Sequence, residues 1–236
     1  MLIKTICLAA PRLGARAADV VLRTAAQALL RETPGLSQVQ CLRVLRHIPT
    51  DSVKIEQAHA GVTADADAVA AVLELYFDSP AAALACTGQI AWAAFRAQVN
   101  GAAPILFALD TLSNVPVTPK GGAVNGGFRR WMLLARKAPT QEQFRDAWFG
   151  RHADLVKNLP QVDGYLQNLV TARYDAKDRE VDYDRMPIDG IAELCFIDEA
   201  AMEASYVSDA RLPLRDDGRE LLGRINTILV QGEAWR

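Results

Sequence analysis

Residues 71–87, AVLELYFDSPAAALACT, and residues 190–206, GIAELCFIDEAAMEASY, follow one pattern. This internal repeat constrains the fold of the chain more than any other feature. Each copy is an apolar strand with one inward glutamate (Glu74, Glu193), then an acidic helix start and an Ala-rich helix. Upstream, Pro34-Gly35-Leu36 leads into VQCLRVLRH as Pro160-Gln161-Val162 leads into GYLQNLVTARY. Two similar units in one chain point to duplication. Eight residues before the proline of each copy stand Ala26 and His152. One copy therefore carries a polar candidate for chemistry, and the other reads as scaffold.

A length of 236 residues suits two units of about 100–120 residues each. Half the residues are apolar, enough for a real core. A formal net charge of −2 gives no electrostatic footprint for nucleic acid or anionic membrane. No stretch approaches the roughly 20 apolar residues that span a bilayer. The opening MLIKTICLAAP is too short for a signal peptide, and Pro11-Arg12 stands where cleavage needs small residues. A cytoplasmic location is expected. Cys7, Cys41, Cys86 and Cys195 lack CxxC spacing, so reduced, buried thiols are expected.

Periodicity predicts the same order twice. The first unit, residues 1–114, reads as a strand at Leu2–Leu8, a helix at 16–32, strands at 37–46 and Val69–Phe77, a helix at Pro80–Val99, and a closing strand at Pro104–Leu109. Residues 115–127, VPVTPKGGAVNGG, read as a linker. The second unit, 128–236, repeats with a strand at Phe128–Arg136 and a helix capped by Thr140-Gln141-Glu142-Gln143. Strands at Tyr165–Tyr174 and Ile188–Ile197, helical segments over 198–223 and a strand at Ile225–Gly232 follow. Each unit is β-α-β-β-α-β, a ferredoxin-like arrangement with helices on one face of its sheet. The bare face must be covered, and the duplicate is the obvious cover. The expected fold class is α+β: two ferredoxin-like units forming an intrachain pseudo-dimeric barrel.

On the helix from Thr140, Phe144, Trp148, His152, Leu155 and Leu159 share one face. His152 is therefore predicted to point into the helix–sheet cleft beside Trp148, where an imidazole can take or give a proton. Gly150 loosens that helix one turn from the histidine. Asn168 shares strand parity with Leu166, Val170 and Ala172, a set expected to face the helices. Tyr165 is expected on the barrel face. Asp154, off the apolar stripe, reads as a surface acid that could orient His152, and the inward Glu193 is a second auxiliary candidate. The loop residues Arg173, Lys177, Asp178, Arg179 and Glu180 read as solvated surface. The histidines offer no HxH or HxxxH spacing, so no metal site is expected. His47 and His59 stand alone in polar stretches. No GxGxxG, P-loop or GxSxG motif serves a nucleotide or a serine nucleophile.

The segment FRDAWFGRHADLVKNLPQVDGYLQNLV resembles the signature of the EthD-like dimeric α+β barrel family: an aromatic pair, His-Ala-x-Leu-Val, a proline, then Tyr-x-Gln-Asn. DGIAELCFID resembles the family's later apolar strand with its acidic helix start. The resemblance covers nearly all of 128–233, and over 1–112 rests on element order and ELYFDSPAAALAC. Characterised members include cofactor-free muconolactone isomerases, polyketide-pathway decarboxylases and dehydratases, and proteins of oxidative degradation clusters. It implies His152 as the pocket histidine with Trp148, Tyr165 and Asn168 near it. Asp154 replaces a usual proline, and Leu169 stands where many members have a second histidine, so chemistry by paired imidazoles is not implied.

The expected function is a lyase or isomerase of a small cyclic or aromatic catabolite, working without cofactor. In it His152 is catalytic, and Trp148, Phe149, Tyr165 and Asn168 bind substrate. The alternatives are a cofactor-free or haem-dependent monooxygenase, with His152 as axial ligand, and a non-catalytic ligand-binding accessory protein. The expected partner is a small-molecule substrate, neither nucleic acid nor membrane. Pairing of two fused chains into a homodimer stays open.

Overall fold

The structure is a computed structural model that describes residues 2–13, 15–48, 62–120 and 127–235. The strands are β1 (Leu2–Ala9), β2 (Leu36–Ile48), β3 (Ala71–Phe77), β4 (Ile105–Val117), β5 (Phe128–Arg136), β6 (Gly164–Tyr174), β7 (Gly190–Phe196) and β8 (Leu222–Trp235). The helices are α1 (Ala15–Glu32), α2 (Pro80–Cys86), α3 (Ile90–Asn100), α4 (Gln141–Ala147), α5 (Ala153–Lys157), α6 (Glu199–Tyr206) and α7 (Arg211–Leu221). His59 and residues 121–126 of the expected linker lie outside the described residues.

All eight strands close into one antiparallel barrel in the order β1-β3-β2-β8-β5-β7-β6-β4. Read around the circle, β4-β1-β3-β2 and β8-β5-β7-β6 are two arcs of identical order. They meet edge to edge through β2–β8 and β4–β6. Closure gives each strand a neighbour on both sides among the described residues. The expected α+β class holds.

Local chemistry explains the repetition. Ser79 and Asp198 occupy the same repeat position, and each caps a helix by accepting from an amide, Ala82 N at 3.2 Å and Ala201 N at 2.8 Å. Thr140 likewise accepts from Gln143 N. Gly35 (φ 77°) and Gln161 (φ 64°), each following its proline, both turn through the left-handed region. The helix expected over Pro80–Val99 is broken at Thr87-Gly88-Gln89 into α2 and α3. Residues 115–117, expected in the linker, instead end β4. Pro116 cannot donate to the ladder and falls where the pairing with β6 shifts register between Asn114 and Val117.

Alternation sends each strand's side chains to two cores. Inside the barrel pack Ile6, Leu8, Leu109, Trp131, Leu133, Val170, Ile191 and Val230. Outside it, α1–α3 cover the first arc, with Trp92, Phe95 and Val99 filling the helix–sheet space. On the second arc Phe144, Trp148, Val156, Met202 and Leu214 pack on Met132, Leu134, Ala192 and Leu194.

Within the barrel wall lies a buried ion cluster. Lys4 Nζ donates to Glu193 at 2.8 Å and to Glu74 at 3.4 Å, and Arg129 donates to Glu193 at 2.8 Å and to Glu74 at 3.2 Å. Each cation touches a carboxylate from the other arc. Gln40, Tyr76 and Asn168 complete the shell. Among the described residues, no helix is long and apolar enough to cross a membrane.

Candidate functional site

Between α4 and α5 the chain makes one π-helical turn, Trp148–His152, in which Gly150 leaves helical geometry at φ −90°, ψ −108°. Such turns insert an extra residue and re-aim side chains, and Gly tolerates the departure at least cost. Gln167 of β6 donates to the Trp148 carbonyl at 2.6 Å and ties the bulge to the sheet. The Trp148 ring lies so close to Gly190 that a Cβ there would meet Cζ3 at 2.5 Å. Glycine at 190 is thus what lets the bulge sit against β7.

His152 is thereby carried to the wall of a cavity of about 120 Å³ between the outer face of the second arc and α7. Its side chain is 13% exposed, and Nδ1 lies 2.6 Å from Oδ2 of Asp217 on α7. A carboxylate can only accept, so Nδ1 donates in this contact and Nε2 is the ring nitrogen left to the cavity. Arg151 bonds the other Asp217 oxygen. Burial alone would raise the Asp217 pKa, but hydrogen bonds from His152 and Arg151 hold it below the usual value.

Opposite stands Tyr165, fully buried and lining the same cavity. Its hydroxyl is sealed from solvent beside Gln167 and Trp148. Burial pushes this phenol well up, outweighing the nearby donors Gln167 and Trp148, so it stays a protonated donor. Arg130 of β5 and Arg211, Arg215 and Arg219 of α7 complete the polar lining, among apolar walls from Met132, Leu134, Val156 and Leu194.

The structure brings His152 and Tyr165 together and separates the rest of the expected set. Tyr165 faces the helices, not the barrel interior. Asn168 is reversed the other way: its parity points inward, where Nδ2 donates to Glu193 at 2.7 Å and to the Ile191 carbonyl, and Oδ1 accepts from Ser113. Glu193 sits in the barrel's ion cluster, on the opposite face of β7 from the cavity-lining Ala192 and Leu194. Trp148 and Phe149 do not line the cavity. Trp148 stacks on Phe144 at 5.1 Å and meets Phe149 in a tilted contact at 5.6 Å between centroids. Asp154 is exposed and paired with Lys157 at 2.8 Å, so it does not orient His152. That position belongs to Asp217, which sequence reasoning missed. The available signal was an acid on an apolar helix stripe, Leu214-x-x-Asp217-x-x-x-Leu221.

The loop read as solvated surface is more structured than expected. Arg173 is buried and donates twice to the Ile188 carbonyl, and Asp178 accepts from Trp92 and Arg96 of α3. His47, isolated in sequence, contacts the Val69 carbonyl at 2.8 Å. Among the described residues no cluster of three His, Cys, Asp or Glu could hold a metal.

The closed eight-stranded barrel with external helices is a fold of the dimeric α+β barrel type. An anthrone oxidase-like protein superposes with a TM-score of 0.65 at 9% identity, over 99% of this chain and 92% of that one. A candidate monooxygenase of Fusobacterium nucleatum subsp. nucleatum gives 0.62 at 7% identity, over 98% and 92%. A mutant chlorite dismutase from Candidatus Nitrospira defluvii gives 0.51 at 12%, over 98% and 90%. Within this class, residues 136–222 match the family model of the EthD domain, as the resemblance implied. That segment contains His152, Tyr165 and Asp217. No protein of curated function matches the sequence.

The expectation of haem is a question of room. A carboxylate-backed histidine suits an axial ligand. Yet an apolar cavity of about 150 Å³ holds a benzene-sized ligand, and clefts for larger ligands run to roughly 300–1,000 Å³. At about 120 Å³ the cavity takes a single ring, and a haem does not fit it.

Proposed function

We propose that the chain is a cofactor-independent lyase or isomerase that moves a proton on a small cyclic or aromatic substrate. The observation that carries this reading is the His152–Asp217 pair at a ring-sized cavity, with Nε2 of the imidazole left to the cavity. His152 Nε2 removes a proton from carbon beside a carbonyl, and the C–H electron pair becomes the enolate. Asp217 stabilises the imidazolium so formed and holds its tautomer. A small movement of the buried Tyr165 side chain would bring its hydroxyl to the enolate oxygen as a donor. The imidazolium then returns the proton to another carbon, giving an isomer, or to a departing hydroxyl, giving an alkene and water.

The two arcs of identical strand order support reading the chain as two fused βαββαβ units, residues 1–114 and 128–236, with chemistry confined to the second. In the first, Ala26 takes the place of His152 and Trp92 and Phe95 occupy the helix–sheet space. A cytoplasmic location accords with this metabolic role.

The test is solvent deuterium wash-in, followed by NMR on lactones and cyclic keto acids, with His152→Gln as control. The variant keeps bulk and hydrogen bonding but cannot act as the base. Wild-type exchange reduced by about 10²–10⁴ in the variant is expected. Equal exchange by a folded variant removes His152 from the mechanism and leaves a ligand-binding accessory protein. Oxygen uptake with the same substrates would instead assign the deprotonation to a cofactor-free oxygenase.

A further inference from the structure

Two hollows meet at the His152–Asp217 pair. His152 lines the ring-sized cavity, and Asp217 is not among the residues that line it. Asp217 lines instead a second hollow of about 310 Å³ between α4 and α7, whose wall includes Lys137, Gln143, Arg151 and Glu220 but not His152. The imidazole–carboxylate contact is thus a partition, with substrate space on one side and a charged groove on the other.

Arg151 holds Asp217 from the groove side. The π-helical turn presents Arg151 and His152, neighbours in sequence, to one carboxylate. His152 Nδ1 faces Oδ2 at 2.6 Å, and Arg151 Nε donates to Oδ1. Arg151 Nη2 also donates to Glu220 Oε2 at 3.1 Å, three residues further along α7. The planar guanidinium therefore bridges two acids of α7 from outside the cavity. The Asp217 side chain is 8% exposed and that of Arg151 65%. An exposed ion pair adds little to stability, so the worth of this one lies in geometry. A carboxylate held at one oxygen can turn about its Cβ–Cγ bond. One held at both oxygens cannot turn without breaking a charge-assisted hydrogen bond.

We infer that Arg151 is a positioning residue for His152, acting through Asp217. It fixes the carboxylate so that Oδ2 keeps the ring proton on Nδ1 and Nε2 stays turned to the cavity. The inference rests on the proton-transfer reading of the site and adds to it a residue that never touches the substrate.

The imidazole itself reports the effect. Nitrogen-15 NMR at pH 8.5 distinguishes protonated from bare ring nitrogens, and the His152 signals are those lost in His152→Gln. Wild type is compared with Arg151→Lys, Arg151→Met, Asp217→Asn and the Arg151→Met/Asp217→Asn double variant. Arg151 is largely exposed, so its variants should fold, and thermal melts check that they do. In wild type the proton is expected on Nδ1. Arg151→Met should move part of it to Nε2 and lower kcat for deuterium wash-in about 10- to 100-fold at unchanged KM. Arg151→Lys, which keeps the charge and a donor but not the fork, should recover most of both. In the Asp217→Asn background Arg151→Met should add nothing. A folded Met variant with the wild-type ring spectrum overturns the inference, as does an undiminished loss of kcat in the Asp217→Asn background. Wash-in by His152→Gln at the wild-type rate sinks the proton-transfer reading instead, a different result from a different variant.

Discussion

Asp217 Oδ2 lies 2.6 Å from His152 Nδ1 across 65 residues of chain, joining α7 to the π-helical turn that follows α4. The contact joins the two sides of the cavity and sets which imidazole nitrogen bears the proton. Asp217→Asn is expected to lower turnover by about 10²–10⁴, since an amide N–H facing Nδ1 would move the ring proton to Nε2. Because the folded pKa of Asp217 is depressed below 3.8, its stabilisation is complete above that pH and is lost as pH falls through the folded value. Urea melts at pH 7 and pH 3 should therefore show a smaller acid loss in the variant than in wild type.

The barrel's ion cluster predicts a large effect from a single truncation. Lys4→Met leaves two buried carboxylates, Glu74 and Glu193, to share Arg129, and removing one member of such a cluster costs about 3–5 kcal/mol. The two carboxylates differ. Burial raises both, but Lys4 and Arg129, each at 2.8 Å, pull Glu193 down to about 2, while the looser Glu74 stays above its ordinary value. Stability owed to Glu193 is present above 4.5 and is lost between there and about 2, whereas Glu74 takes up a proton first. Glu193→Gln should accordingly cost more than Glu74→Gln in denaturant melts at pH 7.

Gly190→Ala should displace the Trp148 ring, because the added methyl would meet it at 2.5 Å. We expect a loss of about 1–3 kcal/mol, the usual range for overpacking. A shift in tryptophan emission should accompany the fall in melting temperature. Unchanged emission and stability would show that the bulge does not need the glycine.

The four cysteines should be inert in the folded protein. All are buried, and burial pushes the Cys86 and Cys195 thiols up to about 12, far from the thiolate that reacts. A chromogenic disulfide at pH 8 should titrate no thiol within minutes in buffer and all four in guanidinium. Rapid reaction of one thiol in the native state would mean that its helix–sheet layer opens.

Much of the architecture was legible because it is written in local periodicity and in a repeat. Glu74 and Glu193, matched in the repeat, do both point into the barrel. Thr140 does cap its helix, and Gly150 does mark the irregular turn beside His152. The site was read less well, and each error has a physical cause. Asn168 and Tyr165 were assigned to the wrong faces of β6, because alternation separates two faces without saying which one the helices cover. Both faces here are buried, so hydrophobicity gave no contrast to decide between them.

The sequence alone determined element order, the internal repeat and the histidine in its second copy, since all three are written in residues close together in the chain. Only the tertiary structure decided what surrounds that histidine. Barrel closure set the faces of β5, sending Arg129 into the ion cluster and its neighbour Arg130 into the cavity. The packing of α7 brought Asp217 and three arginines to His152 from more than fifty residues away. No window of sequence contains both sides of that cavity, so its polarity and its size exist only once the second arc has closed beneath its helices.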